Sequence, residues 1–265
     1  MDAGTRAAVA DALVDAYATK QALEPLSSTY TDLTLEDAYA IQLLQVDHWV
    51  ASGRRIVGHK VGLTSRAMQR MLGVDQPDYG HLTDDMVHLE HLPIDTGLFL
   101  QPRVEPEVAF VLKRGLTGPG VTVAEAIAAV DFVLPALEII DSRIRDWKIG
   151  LLDTIADNAS SGGIVLGSTP VDVRDVDLSL SGCVLHCNGE VVATGAGGAV
   201  LGSPLTALVW LANTVGPLGI TLLPGHIVLP GAQTRAVPVA PGDVVRAAFG
   251  GIGSVTASFG EVSSA

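Results

Sequence analysis

Cysteine is almost absent: Cys183 and Cys187 are the only two in 265 residues, too few for a disulfide scaffold. Basic residues are scarce as well. Sixteen Lys and Arg stand against 29 Asp and Glu, a net charge of −13 with histidine neutral. Nucleic acid and anionic membrane surfaces are therefore excluded as partners, since both require a basic face. No basic segment followed by an apolar run opens the chain. Met1 to Lys20 instead carries Asp2, Asp11 and Asp15, so no secretory signal is legible and a reducing cytoplasm is the expected compartment. Charge of either sign is low, at 17% against roughly 25% in an ordinary domain. With 48% hydrophobic residues, 29 Gly and 14 Pro, the chain reads as globular, core-rich and turn-rich.

Between Glu190 and Arg235 there is no Asp, Glu, Lys or Arg, and residues 205–223 imitate a membrane span. Asn213, Gly216, Pro217 and Gly219 interrupt that stretch short of the roughly 20 apolar residues a bilayer demands. It reads as a buried helix of about three turns followed by a strand.

The predicted organisation is a helical N-terminal region, 1–53, packed on a β-rich core, 54–265, as one structural unit. Residues 5–22 read as a helix. A second helix starts at Thr34, which forms a capping box with Asp37, and ends near Gly53. From Arg54 the texture turns to short β-type runs, Ile56–Val61 being the first. Residues 102–113 alternate as a strand does, which turns Glu105 and Glu107 to one face. Thr122 and Glu125 cap a helix running to about Asp131, and Pro135 opens a strand through Ile140 with Glu138 in its middle. Ser203-Pro204 starts a helix and Gly216-Pro217 stops it. Short strands follow at 220–223, 226–229, 237–239, 243–249 and 255–259, separated by Pro-Gly and Gly-Gly turns. Together they predict a curled or barrel-like β core, an α+β fold.

Three glutamates in otherwise apolar strands, Glu105, Glu107 and Glu138, are what folding explains least. They read either as an exposed strand face paired with Arg103 or Arg143, or as oxygen ligands of a divalent cation. All-oxygen ligation favours Mg²⁺ or Mn²⁺ over zinc. Lys60, in the apolar run IVGHKVGL, reads either as a snorkelling surface lysine or as a desolvated one whose pKa is pushed down for acid–base work. The run GVDQPDYG, 73–80, reads as a loop from which Asp78 or Tyr79 reaches a site. Asp157, Asn158, Ser160 and Ser161 form a polar cluster suited to an anion or simply to a turn. Cys183, His186 and Cys187 lack a fourth metal ligand. The spacing of His59, His81 and His226 supports no Ser-His-Asp nucleophile.

Together, GHKVGLTSRAMQRMLGVDQPDYGHL (58–82), RVEPEVAFVL (103–112) and EIIDSRIRDWKIGLLDTIADNASSG (138–162) closely resemble the 2-hydroxypenta-2,4-dienoate hydratases. These are members of the fumarylacetoacetate hydrolase superfamily, which also contains the 2-oxo-3-hexenedioate (4-oxalocrotonate) decarboxylases. The resemblance implies a mixed β-roll core with outer helices, a Mg²⁺ or Mn²⁺ site, and a homo-oligomer, a pentamer or decamer, open to complexation with a neighbouring pathway enzyme. It places the metal on Glu105, Glu107 and Glu138. It assigns catalysis to Lys60 and Asp78, and substrate contact to Leu63 and Ser160. Arg235 reads either as the partner of a second substrate carboxylate or as a solvent-facing turn residue. The implied reaction is ketonisation of a 2-hydroxy-2,4-dienoate and conjugate addition of water, giving a 4-hydroxy-2-oxo acid in aromatic or steroid ring catabolism. Decarboxylation of 2-oxo-3-hexenedioate is the alternative. A non-catalytic assembly subunit is a second alternative, opposed by the presence of all of Glu105, Glu107, Glu138 and Lys60.

Overall fold

The computed structural model describes residues 1–260. Helix α1 (Ala3–Thr19) starts at Asp2, whose side chain accepts the Thr5 N–H. It ends earlier than the sequence predicts because Lys20 turns to φ 57°, closing its N–H on the Ala16 carbonyl. After the single turn α2 (Leu26–Thr29), α3 (Leu35–Ala51) begins at the expected Thr34–Asp37 capping box. Buried Leu13, Ile41 and Ile155 join these helices in a separate small core.

Strand β1 (Ile56–Gly62) opens the β region. The predicted loop at 73–80 holds for 73–77, after helix α4 (Arg66–Leu72) stops at Gly73, φ 66°, and is corrected at 78–80, where Asp78 begins a strand, β2 (Asp78–Thr83). Pairing against β1, Gly62 opposite Asp78 and Lys60 opposite Gly80, draws this Gly- and Pro-punctuated segment into the sheet. Then come β3 (Val87–Leu89), β4 (Pro93–Asp95) and β5 (Arg103–Leu112). Helix α5 (Val123–Ala129) starts at the Thr122–Glu125 box and runs straight into β6 (Val130–Ile140), followed by α6 (Leu151–Ala156) and β7 (Ser161–Leu166).

Strand β6 is five residues longer than the sequence predicts, with Pro135 inside it rather than at its start. The β6–β7 ladder begins one residue later, at Ala136 opposite Leu166. The missing N–H of Pro135 therefore costs no ladder hydrogen bond, while its carbonyl accepts from Gly167 N at 2.8 Å.

The chain closes with β8 (Gly182–Cys187), β9 (Glu190–Ala196), α7 (Pro204–Val215), β10 (Ile227–Leu229), β11 (Val237–Pro238), β12 (Val244–Phe249) and β13 (Gly253–Gly260). Helix α7 is the predicted three-turn helix and lies in the core through Leu208, Leu211, Ala212 and Val215. Residues 220–223 form no strand; Leu222 makes only an isolated bridge to Leu116.

Two sheets result. One is mixed, in the order β2-β1-β10-β5-β6-β7-β3 with β11 also on β5; the other runs β4-β13-β12-β8-β9. Between them lies the main core, with Val108, Phe110, Leu137 and Val165 from the first sheet and Leu185, Val245 and Val255 from the second. Full burial of a side chain such as Phe110 contributes about 1.5–3 kcal/mol. Because side chains alternate, burying Val104, Val108 and Phe110 turns Glu105 and Glu107 to the opposite face of the first sheet. That face carries the candidate site.

Candidate active site

Antiparallel register sets Glu105 directly opposite Glu138 on β5 and β6, with Glu107 one same-face step along, opposite Ala136. One carboxylate oxygen from each lies within 4.8 Å of the others. Glu107 and Glu138 are each 1% exposed, which removes the exposed-face reading. Nor do Arg103 or Arg143 neutralise them: Arg143 pairs instead with Asp157 and Asp141. Glu107 Oε2 accepts the Gly231 N–H at 2.7 Å, whereas both Glu138 oxygens are buried without a hydrogen-bond partner. Burial, then repulsion from Glu138, pushes the Glu105 carboxyl up to about 7, and the same causes with Glu105 raise Glu107 well above the usual carboxylate range. Three crowded acids, with the Glu138 oxygens lacking a hydrogen-bond donor and no sulfur or imidazole donor among them, fit a hard divalent cation.

Lys60 reaches into this cluster from β1. Its Nζ stands 3.2 Å from Glu138 Oε1 and donates to the Ala159 carbonyl at 2.8 Å, with the residue 4% exposed. The snorkelling reading is thus excluded, and so is a depressed pKa in the protein alone. Burial favours the neutral amine, but Glu138, Asp78, Glu105 and Glu107 outweigh it and hold the ammonium above its ordinary range. Asp78, 1% exposed, lies alongside with Oδ1 unpartnered. Burial raises its carboxyl against the opposing pull of Lys60. Gly62 makes the juxtaposition possible: a Cβ there would lie 2.1 Å from Asp78 Oδ1.

The polar cluster predicted at 157–161 is a buried, strained turn. Asn158, Ala159 and Ser160 have φ of 50°, 51° and 52°, a conformation costing roughly 1–2 kcal/mol per non-glycine residue. Arg143, fully buried against Asp157 and stacked 4.1 Å from the Tyr17 ring, braces it from below. Asn158 braces it from the side, accepting from His81 N at 2.8 Å and donating to His81 O at 2.9 Å. The turn thereby aims the Ala159 carbonyl at Lys60 and sets Ser160 at the cleft, where its hydroxyl contacts Asp157 and Thr154.

A cleft of about 330 Å³ joins these parts, and Lys60, Leu63, Asp78, Glu105, Ser160 and Arg235 all line it. Glu107 and Glu138 complete the carboxylate cluster from beneath Glu105. Leu63 holds φ 56° at the end of β1. Arg235 is exposed and donates to the Val192 carbonyl at 3.0 Å. Sequence reasoning missed Thr64, Thr154, Trp147 and the role of Arg103 as a cleft wall. Parity offered one signal for Arg103, which shares a strand face with Glu105 and Glu107; nothing local pointed to Trp147. Cys183 and Cys187 are free thiols on β8, outside the cleft. His59 packs in tilted contact with both His81 and His226 away from the cleft, with ring centroids 4.9 and 5.6 Å apart.

The model of the fumarylacetoacetate (FAA) hydrolase C-terminal family matches residues 75–259. A 2-keto-4-pentenoate hydratase of Paraburkholderia xenovorans is 48% identical over 254 residues, covering 96% of this chain and 94% of the relative. A 2-hydroxypent-2,4-dienoate hydratase of Pseudomonas putida is 50% identical over 212 residues, 79% of this chain and 95% of its own. Among solved structures, a 4-oxalocrotonate decarboxylase from Pseudomonas putida G7, complexed with magnesium and adipate, superposes with a TM-score of 0.94 at 37% identity, covering 98% of both chains. With its α+β architecture and its buried carboxylates at the sheet face, this chain belongs to the fumarylacetoacetate hydrolase family.

Proposed function

We propose that the chain is a metal-dependent hydro-lyase, adding water to 2-hydroxy-2,4-dienoates in the meta-cleavage catabolism of aromatic rings. The observation that carries this reading is the cluster of half-buried Glu105 with buried Glu107 and Glu138, its Glu138 oxygens without a hydrogen-bond donor, into which Lys60 reaches at 3.2 Å with Asp78 close by. The hydratase names of relatives 48% and 50% identical support the same reaction.

A divalent cation, Mg²⁺ or Mn²⁺, held by the three glutamates would act as a Lewis acid toward the substrate's 2-oxygen and carboxylate. Lys60 and Asp78 handle the protons. In ketonisation the 2-hydroxyl loses its proton and C5 gains one, leaving a 2-oxo-3-enoate. Hydroxide from water then bonds to C4 and a proton to C3, giving the 4-hydroxy-2-oxo acid. Lys60 Nζ, held by the Ala159 carbonyl, is the proton carrier, and Asp78 is its exchange partner. Ser160 contacts the substrate, Leu63 packs on its hydrocarbon, and Arg235 borders the tail. We also read the enzyme as cytoplasmic and as a homo-oligomer. The half-buried Val111, Phe132, Leu166 and Ile227 that extend the site-bearing sheet face support assembly, which sedimentation would check.

The test is product identity. Purified protein with Mg²⁺ should convert 2-hydroxypenta-2,4-dienoate to 4-hydroxy-2-oxopentanoate. Carbon dioxide release from 2-oxo-3-hexenedioate without hydration of the dienoate would select the decarboxylase instead, a reading favoured by the structural likeness at TM-score 0.94.

A further inference from the structure

Arg103 stands in the cleft wall beside the carboxylate cluster. It sits one same-face step from the Glu105–Glu138 rung, opposite Ile140, and its side chain walls the cleft. Among the described residues its guanidinium meets no carboxylate within salt-bridge distance. Instead it lies over the Trp147 ring, 4.5 Å from the centroid. That ring is fixed in turn: the indole N–H donates to the Gln101 carbonyl at 3.0 Å, and Trp147 holds φ 56° in a left-handed turn shared with Asp146. A left-handed conformation at a bulky residue is strained and persists only where surrounding contacts enforce it.

We infer that Arg103 binds the carboxylate head of the substrate, with Trp147 as the positioning residue that holds the guanidinium. The inference rests on the proposed reaction, all of whose substrates carry that carboxylate. Three features of the cleft support it. Lys60 is committed to Glu138 and the Ala159 carbonyl, and Arg235 is exposed and turned to the Val192 carbonyl. Among the described residues Arg103 is therefore the half-buried cation of the cleft with no carboxylate in salt-bridge contact. Charge balance asks for one. Glu105, Glu107, Glu138 and Asp78 crowd one end of the cleft, so an anionic substrate needs a cationic partner there, and the Arg103 guanidinium is placed to supply it. Finally, Leu63, Ile140 and Ile149 leave the rest of the wall apolar, matching a hydrocarbon tail. An arginine fork also suits a carboxylate better than a lysine point charge.

The test is binding without turnover. 2-Oxopentanoate, which has no double bond to hydrate, is titrated calorimetrically into Mg²⁺-loaded protein, alongside its neutral amide. R103A and R103Q should weaken 2-oxopentanoate about 10- to 100-fold, R103K should restore only part of the loss, and affinity for the amide should be unchanged. W147A should weaken the acid about 3- to 10-fold and add little in an R103A background, while W147F should largely preserve binding. Mn²⁺ affinity, read by electron paramagnetic resonance, should not move. Unchanged 2-oxopentanoate affinity in R103A and R103Q would overturn the assignment, as would an equal loss for the amide or for Mn²⁺. Failure of wild-type protein to hydrate the dienoate would instead reject the reaction, and the binding comparison would still decide the arginine.

Discussion

Glu138 is placed where a carboxylate is costly: 1% exposed, opposite Glu105, with Lys60 Nζ 3.2 Å from Oε1 and neither oxygen hydrogen-bonded. One ammonium offsets one of the three crowded carboxylates, and a divalent cation would compensate the rest. Glu138→Gln should therefore cut Mn²⁺ affinity by at least tenfold, measured by paramagnetic resonance, without loss of the fold. Lys60→Ala should separate from it, keeping Mn²⁺ affinity within a few-fold while turnover falls about 10²- to 10⁴-fold. Near wild-type turnover in Lys60→Ala would remove Lys60 from the chemistry. The glutamates were legible in the sequence because charge inside apolar alternation is anomalous on its face. The state of Lys60 was not. Desolvation alone predicts a lowered pKa, and only the folded juxtaposition with Glu138 and Asp78 reverses the sign. The Arg103–Trp147 wall was equally hidden, since its partners stand 44 residues apart and meet only through the antiparallel pairing of β5 with β6.

Among the elements, the strained turn at Asn158–Ser160 couples the site to the helices. Three successive left-handed non-glycine residues are stable here because Arg143, Asp157 and the Asn158 side chain enforce them. Asp157→Asn removes the nearer of the two counter-charges of the fully buried Arg143 guanidinium, leaving Asp141 at 3.8 Å, and should cost about 3 kcal/mol in urea unfolding. A loss under about 1 kcal/mol would show that the ion pair does not brace the turn. No local sequence rule foretells such a turn, because tertiary contacts impose it against propensity. The capping boxes at Thr34 and Thr122 behave oppositely: their hydrogen bonds close within three residues, so both helix starts are legible. Asp78 shows the middle case. Its Gly- and Pro-flanked segment looks like a loop in isolation and becomes strand only by pairing with β1.

At the scale of the whole molecule, the net charge of −13 gives no long-range attraction for a carboxylate substrate. Capture depends on short-range charge inside the cleft, since salt screens beyond about 8 Å. Proton linkage acts on the whole fold through His59, His81 and His226. Burial, the first cause for each, lowers all three; neighbouring imidazoles add to it at His59, and His81 falls to about 4. In the folded chain they resist protonation that the unfolded chain accepts near 6.5. The contribution of the three histidines to stability should thus be full above about pH 6.5 and decline as pH falls toward 4, by about 1.4 kcal/mol per pH unit for each withheld proton, opposed by the raised carboxyls of Glu105, Glu107 and Asp78. Urea midpoints across that window should flatten in a His59→Leu, His81→Leu variant; an unchanged slope would rule the trio out as the cause.

The central claim is that one cleft unites a divalent cation on Glu105, Glu107 and Glu138 with proton transfer at Lys60 to hydrate a dienoate. Ultraviolet absorbance of 2-hydroxypenta-2,4-dienoate tests it most directly, followed with wild-type and Glu138→Gln protein, with Mg²⁺ and with excess chelator. Wild type with Mg²⁺ should rapidly remove the diene band and form 4-hydroxy-2-oxopentanoate, and neither should occur in chelator or with Glu138→Gln. Equal rates of hydration with and without chelator, or in Glu138→Gln, would contradict it.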